Sequence, residues 1–134
     1  MSNDADMIEM LRNARTIAVV GLSSKRLRPS HGVAGYMQQH GYRIIPVNPA
    51  ETEVLGEKAY ATLSGVPHKI DIVDVFRQSE AVPEIAGDVI RLGIPYLWLQ
   101  EGVIHEAAAA KARAAGIKVV MDRCILKEHR RLLL

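Results

Sequence analysis

Short apolar runs alternate with longer segments of mixed polarity along the whole chain. Runs of this length that are rich in Val and Ile predict strands buried on both faces. The five predicted strands are TIAVVG (16–21), YRIIPVNP (42–49), DIVDVF (71–76), PYLWLQ (95–100) and IKVVMD (117–122).

Segments with helical spacing lie between these runs. The first, NDADMIEMLRNA (3–14), has an acidic start and places Met7, Met10, Leu11 and Ala14 on one face. Further helices are predicted at 29–41, 79–93 and 105–116, each closed by a glycine. Residues 124–134 form an amphipathic tail, and the polar crossover 50–69 is predicted to hold one short helical turn near Leu63.

Strands separated by helical crossovers predict βαβ units and therefore a parallel sheet. Right-handed crossovers place helices on both faces, so we expect an α/β fold with a doubly wound five-stranded sheet in the order 3-2-1-4-5. Ligands of such sheets bind outside the carboxyl ends of the strands. The candidate site residues are therefore those that directly follow each strand.

Composition narrows the class of protein. The 134 residues are 49% hydrophobic, with a formal net charge of +2 and a pI near 8.8. These values suit a single domain (1–134, core about 14–124) and indicate no nucleic-acid partner. The acidic start is unlike a secretory signal, and no apolar run approaches the ~20 residues of a membrane helix. The lone Cys124 excludes internal disulfides, so we expect a cytoplasmic protein without a membrane partner.

The loop after the first strand, GLSSKRLRPSHG (21–32), is the most distinctive stretch of the sequence. Dinucleotide-binding loops have G-x-G-x-x-G here, but only Gly21 fits and Ser23 replaces the second glycine. The second strand ends in Asn48 and Pro49, without the carboxylate that holds the ribose of NAD. Both departures argue against NAD, and the single glycine also argues against a P-loop.

Hydroxyl and basic residues in this loop favour a ligand that carries more phosphate than NAD. Ser24, Lys25, Arg26 and Arg28 stand on the loop, and Ser30 opens the next helix. Serine hydroxyls and N–H groups at a helix start suit a pyrophosphate, whereas lysine and arginine suit a phosphomonoester. Coenzyme A (CoA) carries both groups. The alternative is that the basic residues form a solvated turn.

Four segments together resemble the small CoA-binding-domain proteins: GLSSKRLRPSHGVAGYMQQHGYRIIPVNP, DIVDVFR, LWLQEGV and VVMDRC. The resemblance covers roughly residues 14–124. It implies a stand-alone Rossmann-like domain, similar to the CoA-binding domain of the succinyl-CoA synthetase alpha subunit. It also implies that CoA is contacted by Gly21, Ser23, Lys25, Arg28, Ser30, Asn48, Pro49, Val75, Phe76, Arg77, Gln100 and Gly102.

Position relative to the strands adds Ser24, Arg26 and Cys124 to these candidates. Two roles stay open for Phe76, which stacks on adenine or closes the core, and two for Cys124, which is a core residue or a thiol that meets the CoA thiol. Glu101 is left out, because a carboxylate repels phosphate.

Catalytic and metal chemistry find little support in the sequence. The five histidines show no metal-ligand spacing, so no metal is expected. His105 has no nucleophile or orienting carboxylate at a recognisable spacing, and no catalytic residue is assigned. Trp98 lies inside the fourth strand and is predicted to be a core residue.

Three classes of function remain open. The favoured one is a cytoplasmic CoA or acyl-CoA binding protein without catalysis of its own, because the chain has no room for the second domain through which the synthetase passes phosphate. The alternatives are an enzyme of acyl-CoA or thioester chemistry completed by a partner chain, and an NADP-linked oxidoreductase. The apolar end LLL (132–134) packs on its own sheet or on a second copy, so a homo-oligomer also stays open.

Overall fold

The structure is a computed structural model that describes residues 3–134. Its helices and strands include every predicted one, with ends shifted by a few residues. The helices are α1 (Asp4–Asn13), α2 (Pro29–Gln39), α3 (Val82–Leu92), α4 (Glu106–Ala114) and α5 (Ile125–Leu133). The strands are β1 (Thr16–Val20), β2 (Arg43–Val47), β3 (Glu53–Val54), β4 (Glu57–Lys58), β5 (Ile72–Val75), β6 (Tyr96–Leu99) and β7 (Lys118–Val120).

Five parallel strands form the main sheet in the order β2-β1-β5-β6-β7. The predicted order was wrong, because it placed the third long strand, β5, beside β2. In the structure β5 pairs with β1, with Ile17 opposite Ile72 and Val20 opposite Val75. Pro46 of β2 supplies a physical reason, since proline lacks an N–H for a second ladder and favours an edge strand.

Helices cover both faces of the sheet, as predicted for the doubly wound α/β fold. Helices α3 and α4 pack on one face over Val73, Leu97 and Val119. Helices α1, α2 and α5 cover the other face, where Trp98 is fully buried and donates its Nε1–H to the carbonyl of Arg123 at 2.9 Å. The tail is helical, and its Leu133 packs against this second core.

The crossover between β2 and β5 differs most from its prediction. The expected turn at Leu63 is present as a 3-10 helix (Leu63–Gly65). Ahead of it lies an unpredicted antiparallel hairpin of β3 and β4, whose two-residue turn has positive φ at Leu55 (55°) and Gly56 (76°). This crossover returns the chain to the far side of β1 and so sets the strand order.

The revised order moves the topological switch point to the gap between β1 and β5. The chain after β1 leaves toward α2 on one face, and the chain after β5 leaves toward α3 on the other face. Two loops that diverge in this way leave a crevice between them at the carboxyl edge of the sheet.

Candidate functional site

A cavity of about 1350 Å³ opens at the carboxyl edge of the sheet. Its walls come from the loops after β1, β2, β5 and β6 and from the first turns of α2, α3 and α5. Pockets for drug-sized ligands measure roughly 300–1,000 Å³. The cavity therefore has room for an elongated ligand of nucleotide size.

The loop after β1 forms one wall and begins at Gly21. Gly21 has a φ of +90°, and its N–H donates to the carbonyl of Val47 at 2.9 Å. The N–H of Ser23 donates to Ser30 Oγ at 3.1 Å, and the N–H of Lys25 donates to Ser23 Oγ at 3.0 Å. These bonds fix the loop against the start of α2.

The first turn of α2 faces the cavity. Pro29, Ser30 and Val33 line it, and the preceding Arg28 makes no side-chain cap. The amino end of a helix carries partial positive charge, which favours an anion. The Arg28 side chain on the same wall adds a full positive charge.

Asn48 ties the loop after β2 to the loop after β1. Its Nδ2 donates to the carbonyl of Leu22 at 3.1 Å, and its Oδ1 accepts the N–H of Ala50 at 3.0 Å. Just beyond, Glu51 Oε2 accepts the N–H of Ser24 at 2.8 Å. This backbone hydrogen bond is the main cause of a lowered pKa of Glu51, so the carboxylate is charged at neutral pH.

Phe76 and Arg77 form the wall after β5. Phe76 is half-buried and packs against the core on the α2 face, while it also lines the cavity. The two roles considered for Phe76 are thus compatible. Arg77 is exposed on the wall and brings a second guanidinium into the cavity.

The loop after β6 meets α5 at the far end of the cavity. Gln100 is buried, and its Oε1 accepts the N–H of Ile125 at 3.0 Å. The N–H of Gly102 donates to Asp122 Oδ1 at 2.7 Å. Both bonds hold this loop in place rather than leaving its polar groups open.

Glu101, which the sequence analysis left out of the site, lies on the cavity wall. Its carboxylate receives hydrogen bonds from Lys127 Nζ at 3.0 and 3.2 Å. This hydrogen bond raises the pKa of Lys127 and offsets the negative charge that motivated the exclusion. Cys124, the N-cap residue of α5, lies on the same wall, buried and with a free thiol.

The family model for the CoA binding domain matches residues 15–130. The chain belongs to this family. YneT of Bacillus subtilis (strain 168), described as uncharacterized, is 43% identical over 125 residues, which is 93% of each chain. A solved structure of a hypothetical protein from Pyrococcus horikoshii OT3 superposes with a TM-score of 0.95 at 38% identity, covering 99% of this chain and 94% of that one.

A longer relative is an enzyme. The ADP-forming acetate–CoA ligase II of Archaeoglobus fulgidus is 27% identical over 82 residues. The match covers 60% of this chain and 12% of the ligase. The CoA binding domain family thus includes this chain, and the similarity reaches a small part of a much longer CoA ligase.

The structure brings most candidate residues of this CoA-binding-family chain to one cavity. Those on its wall are Gly21, Ser23, Arg28, Ser30, Asn48, Phe76, Arg77, Gln100, Gly102 and Cys124. Ser24, Lys25, Arg26 and Pro49 are exposed beside it, and Val75 is fully buried under the sheet edge. The side chain of Val75 is therefore a core residue in this structure.

Several wall residues escaped the sequence analysis. Glu80 and Glu84 come from the start of α3 and the turn before it, and Lys127 comes from the first turn of α5. The predicted helix start at 79 was an available signal for the first two. No sequence signal marked Lys127, because the packing side of the tail was unknown.

One further residue considered in the sequence analysis has a structural role. His105 is the N-cap of α4, where its Nδ1 accepts the N–H of Ala108 at 3.1 Å.

Within residues 3–134 no group of three or more His, Cys, Asp or Glu side chains could hold a metal ion. Across the same described range, no helix has the length and apolar character to cross a membrane.

Proposed function

We propose that this protein binds CoA or acyl-CoA in the cavity at the carboxyl edge of its sheet. The observation that carries the proposal is the wall formed by the loop after β1 and the start of α2, in a chain of the CoA binding domain family. Arg28 and the helix start favour phosphate, and Ser23 and Ser30 supply hydroxyls. A cytoplasmic location accompanies the proposal, based on the lone cysteine.

The geometry favours CoA over a nicotinamide dinucleotide. The turn after β2 carries Asn48, whose amide is used to fix the neighbouring loop, where NAD-binding sheets carry a carboxylate for the ribose. The next carboxylate, Glu51, is bonded to Ser24. Positive charges at Arg28 and Arg77 suit the phosphate groups of CoA, with Lys25 and Arg26 close by on the same loop.

Several polar groups of the wall are engaged in contacts within the protein. Gln100 anchors α5, Asn48 anchors a loop, and Glu101 is paired with Lys127. We therefore propose binding without turnover by the isolated chain. The relationship to a CoA ligase favours one alternative, a thioester-forming enzyme that a partner chain completes.

Titration calorimetry with CoA, dephospho-CoA, NAD and NADP tests the proposal. CoA should bind most tightly, and dephospho-CoA on the order of tenfold more weakly, because it lacks one charge-assisted phosphate contact. Equal or stronger binding of NAD or NADP would reject CoA as the ligand. Incubation with acetate or succinate, ATP and CoA should give no thioester, and a thioester made by the pure chain would overturn the proposal of binding without turnover.

A further inference from the structure

Three consecutive N–H groups of the loop after β1 are held by side-chain oxygens. Two of these oxygens are hydroxyls of Ser30 and Ser23, bonded to the N–H groups of Ser23 and Lys25. The third is a carboxylate, Glu51 Oε2, which lies 2.8 Å from the N of Ser24. A negative charge therefore already occupies the middle of the loop at which ligand phosphate is proposed to bind.

The turn after β2 fixes the position of this carboxylate. The N–H of Glu51 donates to the carbonyl of Asn48 at 3.1 Å, and the Asn48 side chain binds both Ala50 and the loop residue Leu22. Glu51 is thus anchored through Asn48 to the same loop that its carboxylate contacts. The contact is built into the fold of the turn.

We propose that Glu51 lowers the affinity of this loop for phosphate by acting as an internal competitor. The inference rests on the proposed CoA site. The Glu51 carboxylate occupies the N–H of Ser24 and stands close enough to Lys25 for the two charges to interact. A ligand phosphate that takes these groups displaces the carboxylate, because two anions that share one donor repel each other.

Displacing the Glu51 carboxylate from Ser24 requires no rearrangement of the fold. Glu51 is only half-buried, so a change of side-chain rotamer returns its carboxylate to water. A small phosphate compound forms few contacts beyond those that replace the Glu51 carboxylate, so its net gain in binding is small. A phosphorylated ligand that also fills the neighbouring 1350 Å³ cavity, beside which Ser24 and Lys25 lie, gains additional contacts. Because the Glu51 carboxylate competes with every phosphate alike, only a ligand with such additional contacts, for example CoA, keeps a measurable affinity.

The Glu51→Gln variant isolates the charge, since glutamine keeps the size and an acceptor oxygen. Glu53→Gln is the matched control, because Glu53 is an exposed glutamate of β3 and its replacement changes the net charge equally. Calorimetry should show that Glu51→Gln binds CoA about fivefold more tightly than wild type, as a charge-assisted hydrogen bond is replaced by a neutral one. Inorganic pyrophosphate should gain at least as much, and Glu53→Gln should change both affinities less than about twofold.

The outcomes separate this inference from the proposed function. If the wild-type protein binds CoA and Glu51→Gln binds it equally or more weakly, the inference is overturned, whereas the proposed CoA site is still supported. A gain in pyrophosphate affinity without CoA binding by either protein would support the competitor role and overturn the CoA proposal. An equal gain in Glu53→Gln would also overturn the inference, because long-range charge would then explain it.

Discussion

The backbone of Gly21 lies directly against the backbone of Phe76. A Cβ placed on Gly21 would stand 2.3 Å from the Phe76 carbonyl oxygen, well inside any real contact. Gly21 also has a φ of +90°, which side chains rarely tolerate. The two loops that diverge at the switch point therefore touch at a position that only glycine fits.

Replacing this glycine should damage both the fold and the site. Gly21→Ala should lower the free energy of unfolding by about 2 kcal/mol or more, from the positive φ and the clash with Phe76. Urea unfolding measures this cost, and calorimetry should show weaker CoA binding. Gly32→Ala is the control: an added Cβ at Gly32 in α2 would have no atom within 4 Å apart from its chain neighbours and the nearby helix backbone, and alanine there should stabilise by roughly 0.5–1 kcal/mol. Comparable losses in both variants would contradict the steric argument.

Arg28 should contribute more to CoA binding than its neighbour Arg26. Arg28 lies on the cavity wall, whereas Arg26 is exposed beside it. Arg28→Ala should weaken CoA binding on the order of tenfold, because a charge-assisted contact is worth about 1.5–3 kcal/mol. Arg26→Ala removes the same charge from the same loop and should cost less than about threefold. Calorimetry at two salt concentrations checks this ranking, and equal losses would mean that only the loop's total charge matters.

Asp74 should make the protein less stable as pH rises from acid. It lies in the central strand β5, is almost fully buried, and its Oδ1 has no hydrogen-bond partner in the described part of the chain. Burial raises the pKa of Asp74 well above its ordinary value. Below about pH 3.9, folded and unfolded chains both hold the proton. Between that pH and the higher folded pKa, unfolding releases the proton, so stability falls as pH rises.

Asp74→Asn tests this directly, because asparagine cannot ionise. The variant should lack this part of the pH dependence, so its stability relative to wild type should rise as the pH increases from 4 to 7. Urea unfolding from pH 4 to 8 measures the difference. Asp88→Asn, which removes a partly exposed partner of Arg91, should change stability by no more than about 0.5 kcal/mol. If the free energy of unfolding of Asp74→Asn relative to wild type does not increase between pH 4 and 7, the argument is refuted.

Apolar runs predicted the five strands of the main sheet well because nearly every residue of these strands is buried, but such runs carry little information about which strands are neighbours. One residue in the sequence did favour the observed order: Pro46, whose missing N–H suits the edge position of β2. The small hairpin escaped prediction because its turn places Leu55 at positive φ, where Asn or Gly is usual. The Leu55-Gly56 pair is not one of the residue pairs, such as Asn-Gly or Asp-Gly, that usually mark a two-residue hairpin turn.

Residues that directly follow a strand were predictable as site residues, since parallel strands end at one edge of the sheet. Wall residues carried by helices, such as Glu84 and Lys127, were not. Which side of a helix meets the cavity depends on packing across the whole domain. The pairing of Glu101 with Lys127 was not predictable for a related reason, because the two residues are 26 positions apart in sequence.

His129 should destabilise the protein in mild acid. A hydrogen bond of 2.9 Å joins its Nδ1 to Tyr36 Oη, and the His40 ring lies 5.1 Å away. Burial, and then the charge of His40, lowers the pKa of His129. Below about pH 6.5, His129 is therefore protonated in the unfolded chain but still neutral in the folded chain. The free energy of unfolding falls as the pH drops toward the folded pKa.

Urea unfolding between pH 5 and 8 measures this effect. His129→Gln should flatten the fall in stability below about pH 6.5, whatever its cost in packing. His68→Gln, which alters an exposed histidine next to Arg43, controls for the loss of one imidazole. An unchanged slope in His129→Gln would assign the acid sensitivity to other groups.

Cys124 reports on whether ligand reaches the α5 end of the cavity. It is 7% exposed, lines the wall, and is the only cysteine in the sequence. Any thiol adduct on the protein is therefore an adduct of Cys124.

Maleimide should label Cys124 slowly in the folded protein, because reaction needs an accessible thiolate. Acetyl-CoA, whose own thiol is blocked, should slow labelling by about tenfold when its free concentration is ten times its Kd, since only the unliganded fraction reacts. Intact-protein mass spectrometry follows the single adduct, and Cys124→Ser should gain none. NAD at the same concentration should give no protection. A thiol on the wall of a filled cavity loses its access to reagent. If saturating acetyl-CoA leaves the labelling rate unchanged, the bound ligand does not reach Cys124.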